Sequence, residues 1–301
     1  MASLPTSVEA SQELLLSELP EQMSMAQDAW RRLQRNRLAV IGLAIIGLFL
    51  ATAVVSLVWT PYQTWQQALG PTYQGPTPAH PLGLDDYGRD ILSRVMGGAG
   101  IALTVGVGAS LIASCTGIVL GMLAGFYKGK VDALISLVVN IFYGVPDLLV
   151  ALILVVLIGR GIFNVILAIA ITGWLGMARL VRGQTLSIRE REYVEAARTV
   201  GTPNLMILVR HILPNALGPI VVQATYLVPA AIIFEAFLSL LGLGVPPPAP
   251  SWGRMASEGY KALQIAPHIV LAPCAALSLT VLAFNWVGDG LRDAIDPRMR
   301  R

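Results

Sequence analysis

Apolar residues fall in six long runs separated by polar or proline- and glycine-rich segments. The runs cover Leu38 to about Trp59, Ile101 to Phe126, Ala133 to Ile158, Ile162 to Leu180, Ala216 to Leu243 and Ile265 to Val287. Each reaches or nearly reaches the roughly 20 residues that a helix needs to cross the hydrocarbon of a bilayer. The pattern predicts an all-α polytopic membrane protein with six transmembrane helices. The first run follows a polar leader of 37 residues and is longer than the core of a cleavable signal peptide, so it reads as a permanent span.

The polar interruption Ser187–Pro214, SIREREYVEAARTVGTPNLMILVRHILP, has punctuation of its own. Ser187 and Glu190 have capping-box spacing, which would start a short helix by satisfying its free amides. Gly201 stands where a left-handed residue closes such a helix. Thr202 and Pro203 then suit the cap and first position of a second helix, which Pro214 follows. A membrane protein that builds a defined helix pair outside its spans has a partner for it.

Composition agrees: 55% of residues are hydrophobic, only 13% are charged, and the mean hydropathy is +0.66. A soluble domain carries about a quarter charged residues. With a cytoplasmic N-terminus, sixteen Lys and Arg residues fall on the inner side and five (Arg89, Arg94, Arg160, Arg254, Lys261) on the outer. That is the positive-inside asymmetry, with both termini inside, and it accounts for the basic charge without a nucleic-acid partner. Cys115 and Cys274 lie in apolar runs and read as small hydrophobes, not as a disulfide or metal site. Residues 1–29, with Glu9, Glu13, Glu18 and Glu21, read either as a loose surface helix or as a disordered segment.

Two outer connections are long. Residues 60–96 carry the run Asp85-Asp86-Tyr87-Gly88-Arg89-Asp90; residues 244–263 begin with a stiff Val245-Pro246-Pro247-Pro248-Ala249-Pro250 turn before Ser251-Trp252. They suit an outer docking platform in which Pro246, Pro247 and Trp252 are candidate contacts, and Trp59, Tyr62 and Trp252 suit an interfacial aromatic belt. Gly117, Gly121 and Gly125 clear one face of the second run for close helix packing. Asp147 and Glu235 are the acidic residues deep within runs, hence candidates for a pathway or gate; Pro146 would kink the third run beside Asp147. The chain has no H-E-x-x-H or G-x-S-x-G motif, and GFYKGKV (Gly125–Val131) fails the phosphate-loop spacing. His80, His211 and His268 lack metal-ligand spacing.

Glu192–Asn215, EYVEAARTVGTPNLMILVRHILPN, resembles the EAA loop of bacterial ABC-importer permeases. Glu195, Ala196, Ala197, Gly201, Leu213 and Pro214 match its pattern, and His211 is typical of the dipeptide/oligopeptide/nickel subfamily. HPLGLDDYGRDILSRV from His80, FLSLLGLGVPPPAPSWG from Phe237 and NWVGDGLRDAIDPR from Asn285 resemble further segments of that subfamily. The chain is thus similar to its C-type subunit over roughly residues 30–300, with Asp147 a departure where relatives more often have a small residue.

The resemblance implies a subunit that is not an enzyme and binds no cofactor, with ATP and Mg on partner ATPases. Implied partners are a second homologous permease, two cytoplasmic ABC ATPases, an extracytoplasmic solute-binding protein and a peptide substrate, in a bacterial cell membrane. The implied organisation is a cytoplasmic segment 1–37, a first transmembrane helix 38–59, an extracytoplasmic loop 60–96, a five-helix permease core 97–291 containing the coupling loop 183–214, and a cytoplasmic tail 292–301. Nickel-chelate or glutathione importers share these motifs. An ion-driven secondary transporter would call for inverted repeats around broken helices, and no repeat between the halves is visible.

Overall fold

The computed structural model describes residues 25–295. The acidic leader positions and Arg298, Arg300 and Arg301 lie outside the described residues. Helix α1 (Met25–Arg35) leads into α2 (Arg37–Val58), where Asn36 caps by accepting from Leu38 N at 3.1 Å and Ala39 N at 3.2 Å. Asp90 caps α3 (Ile91–Tyr127) in the same way, accepting from Ser93 N at 2.8 Å. The chain continues through α4 (Gly129–Tyr143), α5 (Asp147–Ile158), α6 (Ile162–Ile188), α7 (Glu192–Thr199), α8 (Asn204–Leu240), α9 (Trp252–Tyr260) and α10 (His268–Ile295). Among the described residues the only β pairing is an isolated bridge between Leu84 and Asp90.

Helices α2, α3, α6, α8 and α10 are each long and apolar enough to cross a membrane. The third predicted span is not one rod. Between Gly144 and Pro146 it breaks into α4 and α5, which meet at 89°. Pro146 has no N–H and disfavours helical geometry at Val145, so the ladder cannot run through. Twelve residues of α5 span only about 18 Å, so neither half crosses alone.

The core is the α3–α6 seam. A methyl on Gly117 would lie 2.6 Å from Met177 Cβ, one on Gly121 2.6 Å from the Ala178 carbonyl oxygen, and one on Gly125 2.7 Å from Thr185 Cβ. The three-glycine face therefore lets two backbones touch. This seam carries α6 beyond the apolar run: Val181 and Thr185 are buried in it, and Arg182 grips Asp132 of α4 at 2.5 and 2.7 Å. The helix persists to Ile188, so Ser187 lies inside it and forms no capping box.

Candidate functional site

The polar helix pair starts at Glu192, capped by Arg191 without a side-chain bond. Glu190 instead accepts from Lys128 Nζ at 2.8 Å, which holds its pKa below the usual carboxylate range, and Arg189 donates to the Phe126 carbonyl. These contacts tie the base of the pair to the α3–α4 turn. Gly201 closes α7 with φ +84, while its N–H reaches Arg198 O at 2.9 Å and Thr202 N–H reaches Ala197 O at 3.0 Å. This is the Schellman arrangement, and only glycine takes that φ without strain. Pro203, not Thr202, occupies the cap of the next helix.

That second helix does not stop at Pro214. Leu208–Ile212 widens into a π turn, closed by Leu213 N–H on Leu208 O, and the helix runs on from Leu213 as the fifth span. The wide turn accommodates the proline ring, which would crowd the preceding turn of a regular helix. One leg of the pair is thus a rigid extension of a membrane helix.

The pair is amphipathic across its two legs. Val194, Ile207, Leu208 and Ile212 are buried with Phe126 and Met177, whereas Val200 (86% exposed), Leu205 (72% exposed), Met206 and Val209 project outward. Glu195 and Ala196 are exposed, Ala197 and Leu213 half-buried and Pro214 exposed. A Cβ on Gly201 would meet nothing within 4 Å. Large apolar side chains are thus exposed around an open glycine turn.

Asp147 is the first residue of α5, exposed at the break between α4 and α5. It borders a cavity of about 220 Å³ walled by Ser110 and Ala113 of α3, Tyr143, Thr172 and Gly173 of α6, and Phe234 of α8. Glu235 does not reach that cavity. It is 2% exposed and accepts from Ser239 Oγ at 2.6 Å and Ser251 Oγ at 2.8 Å, so it fastens the proline-rich outer turn to α8.

Trp252 is likewise internal. It is 1% exposed, packs edge-on to Phe49, covers Gly98 and donates from its indole to Val95 O at 2.9 Å. It serves neither an aromatic belt nor direct docking. Pro247 is exposed and Pro246 half-buried. The residue that joins the two long loops is Glu258, which the sequence reading did not single out, although its partners Arg89, Arg94 and Arg254 were named there. Glu258 accepts from Arg89 at 2.7 Å, Arg94 at 3.1 Å and Arg254 at 2.9 Å, while Asp85 binds Arg89 at 2.6 Å and also Arg94. His80 meets Asp90 at 3.0 Å. Arg254 and Glu258 at four-residue spacing were a readable signal; their link to the first outer loop was not.

The profile of the family described as "Binding-protein-dependent transport system inner membrane component" matches residues 117–301, and that of the N-terminal transmembrane domain of oligopeptide transport permease C matches residues 24–76. The chain belongs to this permease family. It is 43% identical to the dipeptide transport system permease protein DppC of Bacillus subtilis, over 93% of this chain and 88% of that one. Identity to the oligopeptide permease OppC of the same organism is 42%, over 93% and 92%. To the glutathione transport system permease GsiD of Pectobacterium atrosepticum it is 40%, over 91% of each chain. The permease also superposes on a chain of the inward-facing methionine ABC transporter MetNI with TM-score 0.57 at 20% identity, covering 68% of this chain and 98% of that one. This likeness supports the fold. The protein is therefore a membrane-embedded permease subunit of an ABC importer.

Proposed function

We propose that this permease serves an ATP-driven, binding-protein-dependent importer of di- or oligopeptides, in which it forms half of the pathway and receives the ATPase stroke through its inner helix pair. The carrying observation is that pair: exposed apolar side chains, a glycine turn with open space around it, and a second leg that is the first part of α8. Docked in the cleft of an ATPase, such a rod would transmit rigid-body motion to the cavity-lining helix. Glu195, Ala196, Ala197 and Gly201 belong to the docking leg, and Leu213 and Pro214 to the joint with the span. ATP and Mg belong to the partner ATPases, and this chain holds no cofactor.

The cavity at Asp147 is smaller than the roughly 300–1,000 Å³ of ligand pockets, and Asp147 itself is exposed in the single chain. A second homologous permease would supply the missing wall. The sixteen-to-five basic split favours cytoplasmic termini, with the outer loops and Pro247 facing a solute-binding protein. Relatives named for dipeptides and oligopeptides carry the substrate assignment; the glutathione relative keeps a modified peptide as the second reading.

Reconstitution with the second permease, the ATPases and the binding protein tests it. Short peptides should enter when ATP is on the cytoplasmic face, and collapsing the proton gradient at constant ATP should leave the rate unchanged. Uptake that follows the ion gradient and ignores ATP would contradict the mechanism. ATP-driven uptake of glutathione or nickel chelates without peptides would overturn the substrate alone.

A further inference from the structure

We propose that the groove between α1, α8 and α10 binds an anionic phospholipid, with an acyl chain on its apolar walls and the headgroup on arginines at its rim. The groove has a volume of about 400 Å³ and is walled by Trp30 and Leu33 of α1, Leu217 and Val221 of α8, and Leu291 and Ile295 of α10. That volume falls within the roughly 300–1,000 Å³ of ligand pockets. The α1 wall is fixed in place. Leu33 is 4% exposed and packs with Ala39 and Ala294, and a Cβ on Gly290 of α10 would lie 3.1 Å from Leu33 Cδ1. The other side of the groove is open, with Trp30, Leu217 and Val221 all exposed.

The build of α1 selects the occupant. Asn36 has an extended backbone and caps α2, so α1 is a separate helix and not the first turns of the span. Helix spacing gathers Ala29, Trp30 and Leu33 on one side of it and Arg31, Arg32 and Arg35 on the other. The arginines keep such a helix out of hydrocarbon, and the apolar side keeps it at the membrane interface, with its tryptophan at headgroup depth. Pro214 lines the same groove just before the apolar run of α8, and Ile295 ends α10, so the groove lies at the ends of the spans. Arg31, Arg35 and Arg210, the last one turn before Pro214, are exposed and have no carboxylate partner among the described residues. The Asp28 carboxylate at the rim is held by Arg32 at 2.9 Å. Asp289 and Asp293 stand on the opposite side of α10 from Leu291 and Ile295 by helix spacing. The rim thus presents uncompensated positive charge beside an apolar slot, which complements a phosphate carried on an acyl chain. A zwitterionic lipid would fill the slot but bring its own cation to the rim. The orientation proposed above places the site in the cytoplasmic leaflet; the site itself does not depend on the solute carried.

The test uses the complete complex in nanodiscs of phosphatidylglycerol and phosphatidylcholine in equal amounts. A photoactivatable acyl chain is placed first on one lipid and then on the other, and crosslinked peptides are mapped by mass spectrometry. Exposed Leu48, Leu57 and Val58 of α2 report contact with bulk lipid. Relative to them, residues 29–33, 214–221 and 291–295 should take the phosphatidylglycerol probe in preference to the phosphatidylcholine one. Arg31→Gln, Arg35→Gln and Arg210→Gln should each lower that preference about fivefold. Leu217→Trp, which fills the slot, should remove groove labelling by both probes. Equal labelling by the two probes, or a preference unchanged in all three arginine variants, would overturn the proposal. Groove residues left unlabelled while α2 labels would give the groove to protein, either the second permease or residues 1–24, and overturn it as well. Peptide uptake is not the readout, so failure of the substrate assignment leaves the lipid result standing.

Discussion

Trp252 illustrates how a single residue fixes the outer half of this permease. Its ring fills the space above Gly98, and its indole bonds across to Val95 O, so it pins α9 to the start of α3. Trp252→Ala removes a fully buried ring and should cost about 3–5 kcal/mol, read as a lower melting temperature of the purified complex with its subunit composition unchanged. At this scale glycine roles were legible: Gly201 for its turn, Gly117, Gly121 and Gly125 for close approach, since spacing alone dictates them. Glu235 and Trp252 were not. Whether a carboxylate faces a pathway or two serines, or an indole faces lipid or protein, depends on partners distant in the chain, and hydropathy carries no record of them.

At the scale of elements, the outer loops are joined by a charge cluster and not by a sheet or disulfide. Burial pushes the Glu258 carboxyl upward, but Arg94, Arg254 and Arg89 outweigh it and hold the group below its ordinary value. A depressed folded-state value means the link contributes fully above the ordinary carboxylate range and is lost as pH falls through the lowered value. Asp86, raised by burial and by Asp85, works in the opposite sense but is less enclosed. The protection factors of amides in residues 60–90, taken relative to the intrinsic exchange rate at each pH, should therefore fall as pH is taken below the carboxylate range. Glu258→Gln should show the lowered protection factors already at neutral pH. Span positions were legible from the apolar runs, but their ends were not. Helix α6 gained its last turns from the glycine seam and the Arg182–Asp132 pair, and α8 absorbed Pro214 through a π turn that no residue preference announces. The break at Pro146 was legible as a kink; its 89° angle is set by packing.

For the whole molecule, the basic asymmetry and the helix pair make one connected claim: the inner face receives ATPase motion and the outer face receives solute. After replacement of Cys115 and Cys274, single cysteines at Gly129 and Thr202 should resist an impermeant thiol reagent in intact cells, while one at Ala79 should label. Labelling of position 202 from outside would invert the orientation. The claim of coupling is tested most directly by ATP hydrolysis in the reconstituted complex, comparing the natural chain with Gly201→Glu. A side chain at φ +84 strains the turn by about 1 kcal/mol and puts charge into the open space proposed for ATPase docking. The variant should reach the membrane and pair with the second permease, yet lose both peptide uptake and the stimulation of hydrolysis by loaded binding protein. Full uptake and full stimulation with Gly201→Glu would contradict the account.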